Sequence, residues 1–239
     1  MPKRPSFKVA SYNMRKGIGL DRRRDPARVL NVLQELDADI VALQEADRRF
    51  GNRASAIPPE MIAGESDYTP VMLENRPLSL GWHGNALLVR KGIEVEESHM
   101  LHLPTLEPRG AVAATLNISG RRMRVIGMHL DISGLRRRHQ ARAILEHLEE
   151  GEDLPAILMG DVNEWRPSGG CLSDFAANHF AVDTGQSFPS RRPLARLDRI
   201  FASPQLQPLD SGVHHSPLAS RASDHLPIWA RFQHDDPLD

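Results

Sequence analysis

The sequence predicts an α/β chain of packed sheets flanked by helices. Three observations carry this. Strand-like runs outnumber helical ones along the whole chain. Some runs alternate apolar and polar residues with period two, and others are apolar throughout, as in strands covered on both faces. Helical periodicities are few and do not alternate regularly with strands, which disfavours a doubly wound parallel sheet.

Phe7 to Asn13 alternates and reads as a strand ending at Asn13. Lys16 to Gly19 reads as a loop. Asp25-Pro26 is a helix start, with Asp as cap and Pro at the first position, and Val29, Leu30, Leu33 and Leu36 line one face. Asp39 to Glu45 is a nearly apolar strand that ends in Gln44-Glu45. Residues 47 to 82 read mostly as a long connection, with a short helix after Pro58 and a strand over Tyr68 to Leu73. Gly84 to Val89 is a buried strand, and Val95 to Leu101 is another. Ala111 to Ile118 and Met123 to His129 flank Ser119-Gly120 and predict a hairpin. Gly134 to Glu150 is a helix with Ala141, Ile144, Leu145 and Leu148 inward and Arg136, Arg137, Arg138 and Arg142 on its polar side. Leu154 to Gly160 is an apolar strand. A short helix within 168 to 178, a brief strand at Ala181 to Asp183, a strand at Arg196 to Ala202 and a last one from Ser223 to Phe232 complete the series. Pro227 confines that last strand to an edge, or itself to the strand's start.

Composition bounds the chemistry. The 239 residues fit a single domain over residues 5–234 with a frayed tail at 235–239. With 30 basic and 31 acidic residues the formal charge is -1, so a global basic field for gripping nucleic acid is absent. Arginine clusters at 22–24, 136–138 and 191–192 suit solvated faces or phosphate contacts. The lone cysteine, Cys171, rules out an intramolecular disulfide and a CxxC metal site. The first residues lack a signal-like apolar stretch and no run is apolar enough to span a membrane, so a reducing cytoplasm is expected.

Several motifs are excluded by reading. No phosphate-binding P-loop is present, and Gly17-Ile18-Gly19 lacks the third glycine of a dinucleotide site because position 22 is Arg. No G-x-S-x-G or H-E-x-x-H occurs. Asp161-x-Asn163 fails as a calcium loop because the required glycine would be Arg166.

What remains is polar residues at the ends of apolar strands: Asn13, Glu45, His129, Asp161 with Asn163, and Asp224-His225. Asn13, Glu45 and Asp224 offer oxygen ligands suited to Mg²⁺ or Mn²⁺. The histidines and Asp161 offer acid, base and charge stabilisation. Each residue also has a plain reading. Asp161 and Asn163 suit a turn, Asn13 a turn end, Glu45 a helix cap, His129 a satisfied core position, and Asp198 a surface partner of Arg196 or Arg199.

The ordered blocks Ser11-Tyr12-Asn13, Val41-Ala42-Leu43-Gln44-Glu45, Gly84-Asn85-Ala86-Leu87-Leu88, Pro108-Arg109-Gly110-Ala111, Met128-His129-Leu130, Gly160-Asp161-Val162-Asn163, Arg196 to Phe201 and Ser223-Asp224-His225-Leu226-Pro227 couple these positions. In them the chain resembles the endonuclease/exonuclease/phosphatase superfamily of DNase I-like metal-dependent phosphoesterases. The resemblance implies a four-layer αββα sandwich of two mostly antiparallel sheets with helices outside. It implies Asn13, Glu45 and Asp224 at or near a Mg²⁺ or Mn²⁺ site, and Asp161 with Asn163 positioning the attacking water. It also implies His225 at the phosphate, oriented by Asp198, and His129 on a phosphate oxygen. Arg109 and Asn85 lie in matching segments and are candidate substrate contacts. Many repair nucleases of the superfamily have W-N-x-N, whereas this chain has Tyr12-Asn13-Met14-Arg15. Arg15 cannot ligate a cation but can reach a phosphate, and this weakens a two-metal, abasic-site-repair reading. The implied activity is phosphodiester hydrolysis, on a phospholipid head group, nucleotide, inositol phosphate or DNA. The alternatives are a nuclease, a phosphomonoesterase on a sugar or inositol phosphate, or a non-catalytic phosphate-binding module of the same fold. No obligate protein partner is evident.

Overall fold

Two six-stranded sheets pack face to face, and helices cover their outer faces. The structure, a computed structural model, describes residues 6–48, 53–73, 79–105 and 109–234. The expected tail at 235–239, the domain's first residue at 5, Pro108, and residues 49–52 and 74–78 of the long connection lie outside the described residues.

The first sheet holds β1 (Ser6–Asn13), β2 (Ile40–Gln44), β3 (Tyr68–Pro70), β4 (Ala86–Arg90), β11 (Leu206–Val213) and β12 (Ile228–His234), in the order β11-β12-β1-β2-β4-β3. The second holds β5 (Glu94–Leu101), β6 (Gly110–Ile118), β7 (Arg121–His129), β8 (Ala156–Asp161), β9 (Phe180–Ala181) and β10 (Asp198–Ala202), in the order β5-β6-β7-β8-β10-β9. Each sheet is antiparallel except for one central pair, β1 with β2 and β7 with β8. Parallel neighbours need a crossover. The helices α1 (Pro26–Leu36) and α3 (Gly134–Glu149) provide it. The chain thus contains one βαβ unit at the centre of each sheet, within an otherwise non-alternating order.

Period-two patterning explains the layers. On β1, Phe7 and Val9 face the inter-sheet core with Ala42, Leu87, Val112, Val125, Met159 and Ala230. Ala10 and Tyr12, on the opposite face, pack with Val29, Leu33 and Leu36 of α1. On the second sheet, Ile126 and Leu158 pack outward against Ala141 and Ile144 of α3, and against Phe175 of α4 (Cys171–Phe175). The Asp25 side chain caps α1 by accepting from the Arg28 amide, as the sequence predicts. The remaining helices are α2 (Pro59–Glu65) and α5 (Ala219–Ala222).

Two expectations are corrected, and one strand is added. The last strand starts at Ile228 rather than Ser223, so Asp224 and His225 stand in the loop before it and Pro227 adjoins its first residue. Arg137 does not lie on the polar side of α3: it is 7 % exposed and turned inward to Glu164. β11 has no counterpart in the sequence reading, because its Leu-Gln-Pro-Leu-Asp-Ser-Gly-Val run is an exposed edge with a register shift between Pro208 and Asp210. Such edges carry little alternation.

Candidate active site

Both central parallel pairs end at the same mouth. Asn13 ends β1 beside Gln44, and Glu45 follows β2 directly. His129 ends β7 opposite Asp161, which ends β8. β10 runs antiparallel to β8, so its first residue, Asp198, pairs with Asp161. Asp198 therefore enters from a strand start, and it is fully buried rather than a surface partner of Arg196 or Arg199. Arg196 pairs instead with Asp183, at 2.6 Å.

Asp161 Oδ2 is the hub. Asn13 Nδ2 donates to it at 3.0 Å, His129 Nε2 lies 3.4 Å away and His225 Nε2 lies 3.8 Å away. Asp161 Oδ1 accepts from the Asn163 amide N–H at 3.0 Å, while the Asn163 side chain donates to the Leu130 carbonyl at 2.9 Å. On the far side of its ring, His225 Nδ1 meets Asp198 Oδ2 at 2.8 Å. Asp161 and His225 are 2 % and 6 % exposed.

Burial shapes the charges. Burial alone would lower the pKa of His225. The Asp198 carboxylate, by charge and hydrogen bond, then Asp161 and Asp224, outweigh it and hold it up at about 10. Burial pushes the Asp161 carboxyl up, against the pull of His225. The imidazolium thus sits between two carboxylates.

Glu45 and Asp224 stand at the more open rim. The Lys16 ammonium pairs with Glu45 Oε2, and Arg15 Nε lies 3.5 Å from Asp224 Oδ2. The adjoining pocket is lined by Lys16, Glu45, Asp47, Arg53, His83, Gly84, Arg109 and His129. Arg53 is held by Asp47 at 2.9 Å and contacts His83, and the Arg109 guanidinium lies against the His129 ring. Asn85 is not on this surface. It is fully buried, and its amide donates to the carbonyls of Gly110 and Trp82, tying the start of β4 to the start of β6.

Backbone strain gathers here. Nine non-glycine residues among those described have positive φ, and Arg15, Lys16, Glu45, Arg53, His83 and Asn163 surround this mouth. Such conformations cost about 1–3 kcal/mol each and persist where surrounding structure enforces them, commonly at functional sites.

Two donor sets suit a cation. Asp161, Asp198 and His225 offer ligand atoms all within 4.8 Å of one another. In that cluster His225 Nδ1 and Asp198 Oδ2 are already engaged with each other at 2.8 Å. The oxygen donors Asn13, Glu45 and Asp224 fit Mg²⁺ or Mn²⁺ chemistry better. Glu45 already attracts a positive charge, the Lys16 ammonium.

Sequence reasoning missed several contributors. Ser187 Oγ donates to Asp198 Oδ2, and Ser223 Oγ donates to the Asn13 carbonyl at 2.7 Å. Ser223 belongs to the S-D-H-x-P block, which was its signal, whereas Ser187 sits in a loop with none. His83, which lines the mouth, follows no strand end and so carries no sequence signal. Phe188 packs on the His225 ring at 4.8 Å between centroids, and Trp165 packs edge-on against Phe188 at 5.9 Å.

Comparison with known proteins agrees with this architecture. YbhP of Escherichia coli (strain K12), itself uncharacterized, is 27% identical over 250 residues, covering 95% of this chain and 96% of YbhP. An endonuclease/exonuclease/phosphatase from Bacteroides vulgatus superposes with a TM-score of 0.76 at 19% identity, covering 96% of this chain and 99% of that one. D. rerio TDP2 complexed with single strand DNA product gives 0.73 at 20% identity, covering 95% and 99%. The human Nocturnin catalytic domain with bound sulfate anion gives 0.72 at 20% identity, covering 96% and 94%. These structures share the DNase I-like four-layer sandwich. Residues 10–225 match the Endonuclease/Exonuclease/phosphatase family, and the chain belongs to this family of metal-dependent phosphoesterases.

Proposed function

We propose that the chain is a divalent-metal-dependent phosphoester hydrolase that cleaves phosphodiesters by in-line attack of water. The observation that carries this reading is the convergence of Asn13, His129 and His225 on Asp161 Oδ2, with Asp198 behind His225. A structural cluster would pair its charges and stop. This one leaves a carboxylate of raised pKa beside two histidines at the mouth of a cleft, which suits proton transfer.

In this reading Asp161 orients the attacking water and accepts its proton, and Asn163 helps to position it. His225, charged and fixed by Asp198, donates toward the phosphoryl oxygens, and His129 contacts another oxygen. In the same reading Arg109, against His129, and Arg15, near Asp224, would contact the substrate phosphate. Asn13, Glu45 and Asp224 would hold Mg²⁺ or Mn²⁺, which when bound neutralises phosphoryl charge. The sulfate anion bound to the human Nocturnin catalytic domain and the single strand DNA product bound to D. rerio TDP2 support an anionic substrate for a protein of this fold.

The test is hydrolysis of bis-p-nitrophenyl phosphate, p-nitrophenyl phosphate, plasmid DNA and phospholipids, each with Mg²⁺, Mn²⁺ or EDTA. Metal-dependent diester cleavage is expected. Cleavage of the monoester alone would replace the diesterase reading with a phosphomonoesterase. No hydrolysis under any condition would leave a phosphate-binding module.

A further inference from the structure

We propose that the rim of this cleft docks on an anionic lipid surface, so that the substrate is a phospholipid head group presented from a bilayer. The substrate half of this statement rests on the phosphoesterase reading, and the docking half does not.

The first observation is where the apolar exposure lies. Among the described residues seven large hydrophobic side chains are exposed, and Ile132, Leu135, Trp165 and Leu194 lie on three segments around the cleft. Ile132 and Leu135 follow His129, at the start of α3. Trp165 follows Asp161 and Asn163. Leu194 precedes Asp198. Each is at least 64% exposed. Scattered single exposures are ordinary, whereas their gathering at one end of the molecule is not.

The second observation is that the segments are tied together. Arg137 Nη1 donates to the Ile132 carbonyl and Arg137 Nη2 to Glu164, the neighbour of Trp165. The Trp165 ring packs on Phe188, whose carbonyl accepts from the Leu194 amide at 2.8 Å. The three segments form one bonded rim, and Phe188 links it to His225.

The third observation is charge. Arg166 is exposed beside Trp165, and Arg191 and Arg192 are exposed before Leu194. None of the three forms an ion pair among the described residues. The stretch 184–197 contains no acidic residue and three arginines, of which Arg196 pairs with Asp183. Glu164, the acid nearest Trp165 in sequence, is buried and held by Arg137. The rim therefore offers aliphatic and indole side chains interleaved with exposed guanidinium groups, on a chain whose net charge is -1.

That combination fits an anionic bilayer interface. Aliphatic side chains enter the acyl boundary, indole sits at the head-group level, and each arginine near a negatively charged leaflet adds attraction. A single-stranded polynucleotide would use the arginines and Trp165, but Ile132, Leu135 and Leu194 offer it no ring to stack on.

The experiment is co-sedimentation of the full chain with vesicles of phosphatidylcholine alone, or of phosphatidylcholine mixed with phosphatidylglycerol. It is run at low and high salt, with a parallel titration of a single-stranded oligonucleotide. Binding to the anionic vesicles is expected, weakened by salt, with a blue shift of tryptophan emission, since Trp82 is buried, Trp229 half-buried and Trp165 exposed. The combined variant Ile132→Ser, Leu135→Ser, Leu194→Ser should lose on the order of tenfold or more in vesicle affinity. It should keep its melting temperature and its rate on bis-p-nitrophenyl phosphate. Arg166→Ala with Arg191→Ala and Arg192→Ala should abolish the preference for anionic vesicles. Failure of the unaltered chain to bind either vesicle overturns the proposal, as does binding indifferent to the three serine substitutions. So does oligonucleotide binding that depends on the arginines in the absence of vesicle binding. Vesicle binding without hydrolysis of any phosphoester would retain docking and remove the phosphoesterase reading, and hydrolysis without vesicle binding would do the reverse.

Discussion

Asp198 accepts a hydrogen bond from His225 Nδ1 at 2.8 Å, and both residues are buried. This bond fixes the ring so that Nε2 faces Asp161, and the carboxylate's charge keeps the imidazole protonated. Asp198→Asn keeps the shape and removes the charge. The expected result is a fall in kcat on a chromogenic diester of about 10² or more with KM little changed, as for one catalytic group. Ser187→Ala, which removes a second donor to Asp198, should fall between this variant and the unaltered chain. Equal rates for Asp198→Asn and the unaltered chain would remove His225 from the reaction.

Asp161→Asn tests the hub itself. The amide can no longer accept a proton from water, and it turns one acceptor into a donor facing Asn13 and the histidines. A rate loss on the order of 10² or more is expected. A folded variant with full activity, its fold verified by circular dichroism, would show that Asp161 is structural.

The legibility of this site in the sequence follows from where its groups reside. Asn13, His129 and Asp161 end regular strands, and Glu45 follows one, so period-two patterning locates them. The parallel pairing that brings them side by side depends on crossovers through α1 and α3, whose order in the sheets the chain does not announce. Asp198 was legible only through the R-L-D-R-I-F block, since taken alone it suits a surface ion pair. Ser187, Phe188 and Arg53 come from loops and reach the site through long-range folding, with no local period to mark them. Arg137 misled because a run of three arginines reads as a solvated face, whereas the helical step places the middle one inward against Glu164. Asn85 lies in a matching block, yet its hydrogen bonds hold backbone under the mouth.

Glu45 and Lys16 form an ion pair that a cation at Glu45 would have to displace. Titration with Mg²⁺ or Mn²⁺ should raise the melting temperature, because a ligand that binds only the folded state stabilises it by RT ln(1 + [L]/Kd). Glu45→Gln should abolish most of this rise, and Lys16→Ala should shift the rise to lower metal concentration. EDTA should remove hydrolysis and added metal should restore it. A metal-induced rise unaltered in Glu45→Gln, but lost in Asp198→Asn, would move the cation to the Asp161, Asp198 and His225 cluster.

Gly160 sets the approach of β8 to β7. A Cβ there would lie 1.8 Å from the Met128 carbonyl oxygen, which belongs to the backbone and cannot swing aside. Gly160→Ala must therefore separate the two strands at the point where His129 and Asp161 meet. The expected cost is about 3 kcal/mol in stability, with a rate loss on the order of tenfold or more from the displaced Asp161. Denaturant melts and diester kinetics measure the two effects separately. An unchanged melt would show that the strands tolerate the side chain.

Arg137 Nη2 donates to Glu164 Oε2 at 2.8 Å, with both side chains almost wholly buried. Burial raises the pKa of Glu164, but the Arg137 hydrogen bond, the Arg166 amide and the two guanidinium charges outweigh it, and the carboxyl is held below its ordinary value. A depressed folded pKa means stability that is present above the unfolded pKa of about 4.3 and is lost as pH falls through the folded one. Glu164→Ala leaves Arg137 buried without its carboxylate and should cost about 3 kcal/mol at neutral pH. The difference in stability between the unaltered chain and the variant should narrow as pH falls below about 4, where the carboxyl takes up its proton. Thermal melts at neutral pH and at successively lower pH measure this. A difference that stays constant across that range would mean that the cost of the substitution comes from packing around Cys171 and Gly170, not from the ion pair.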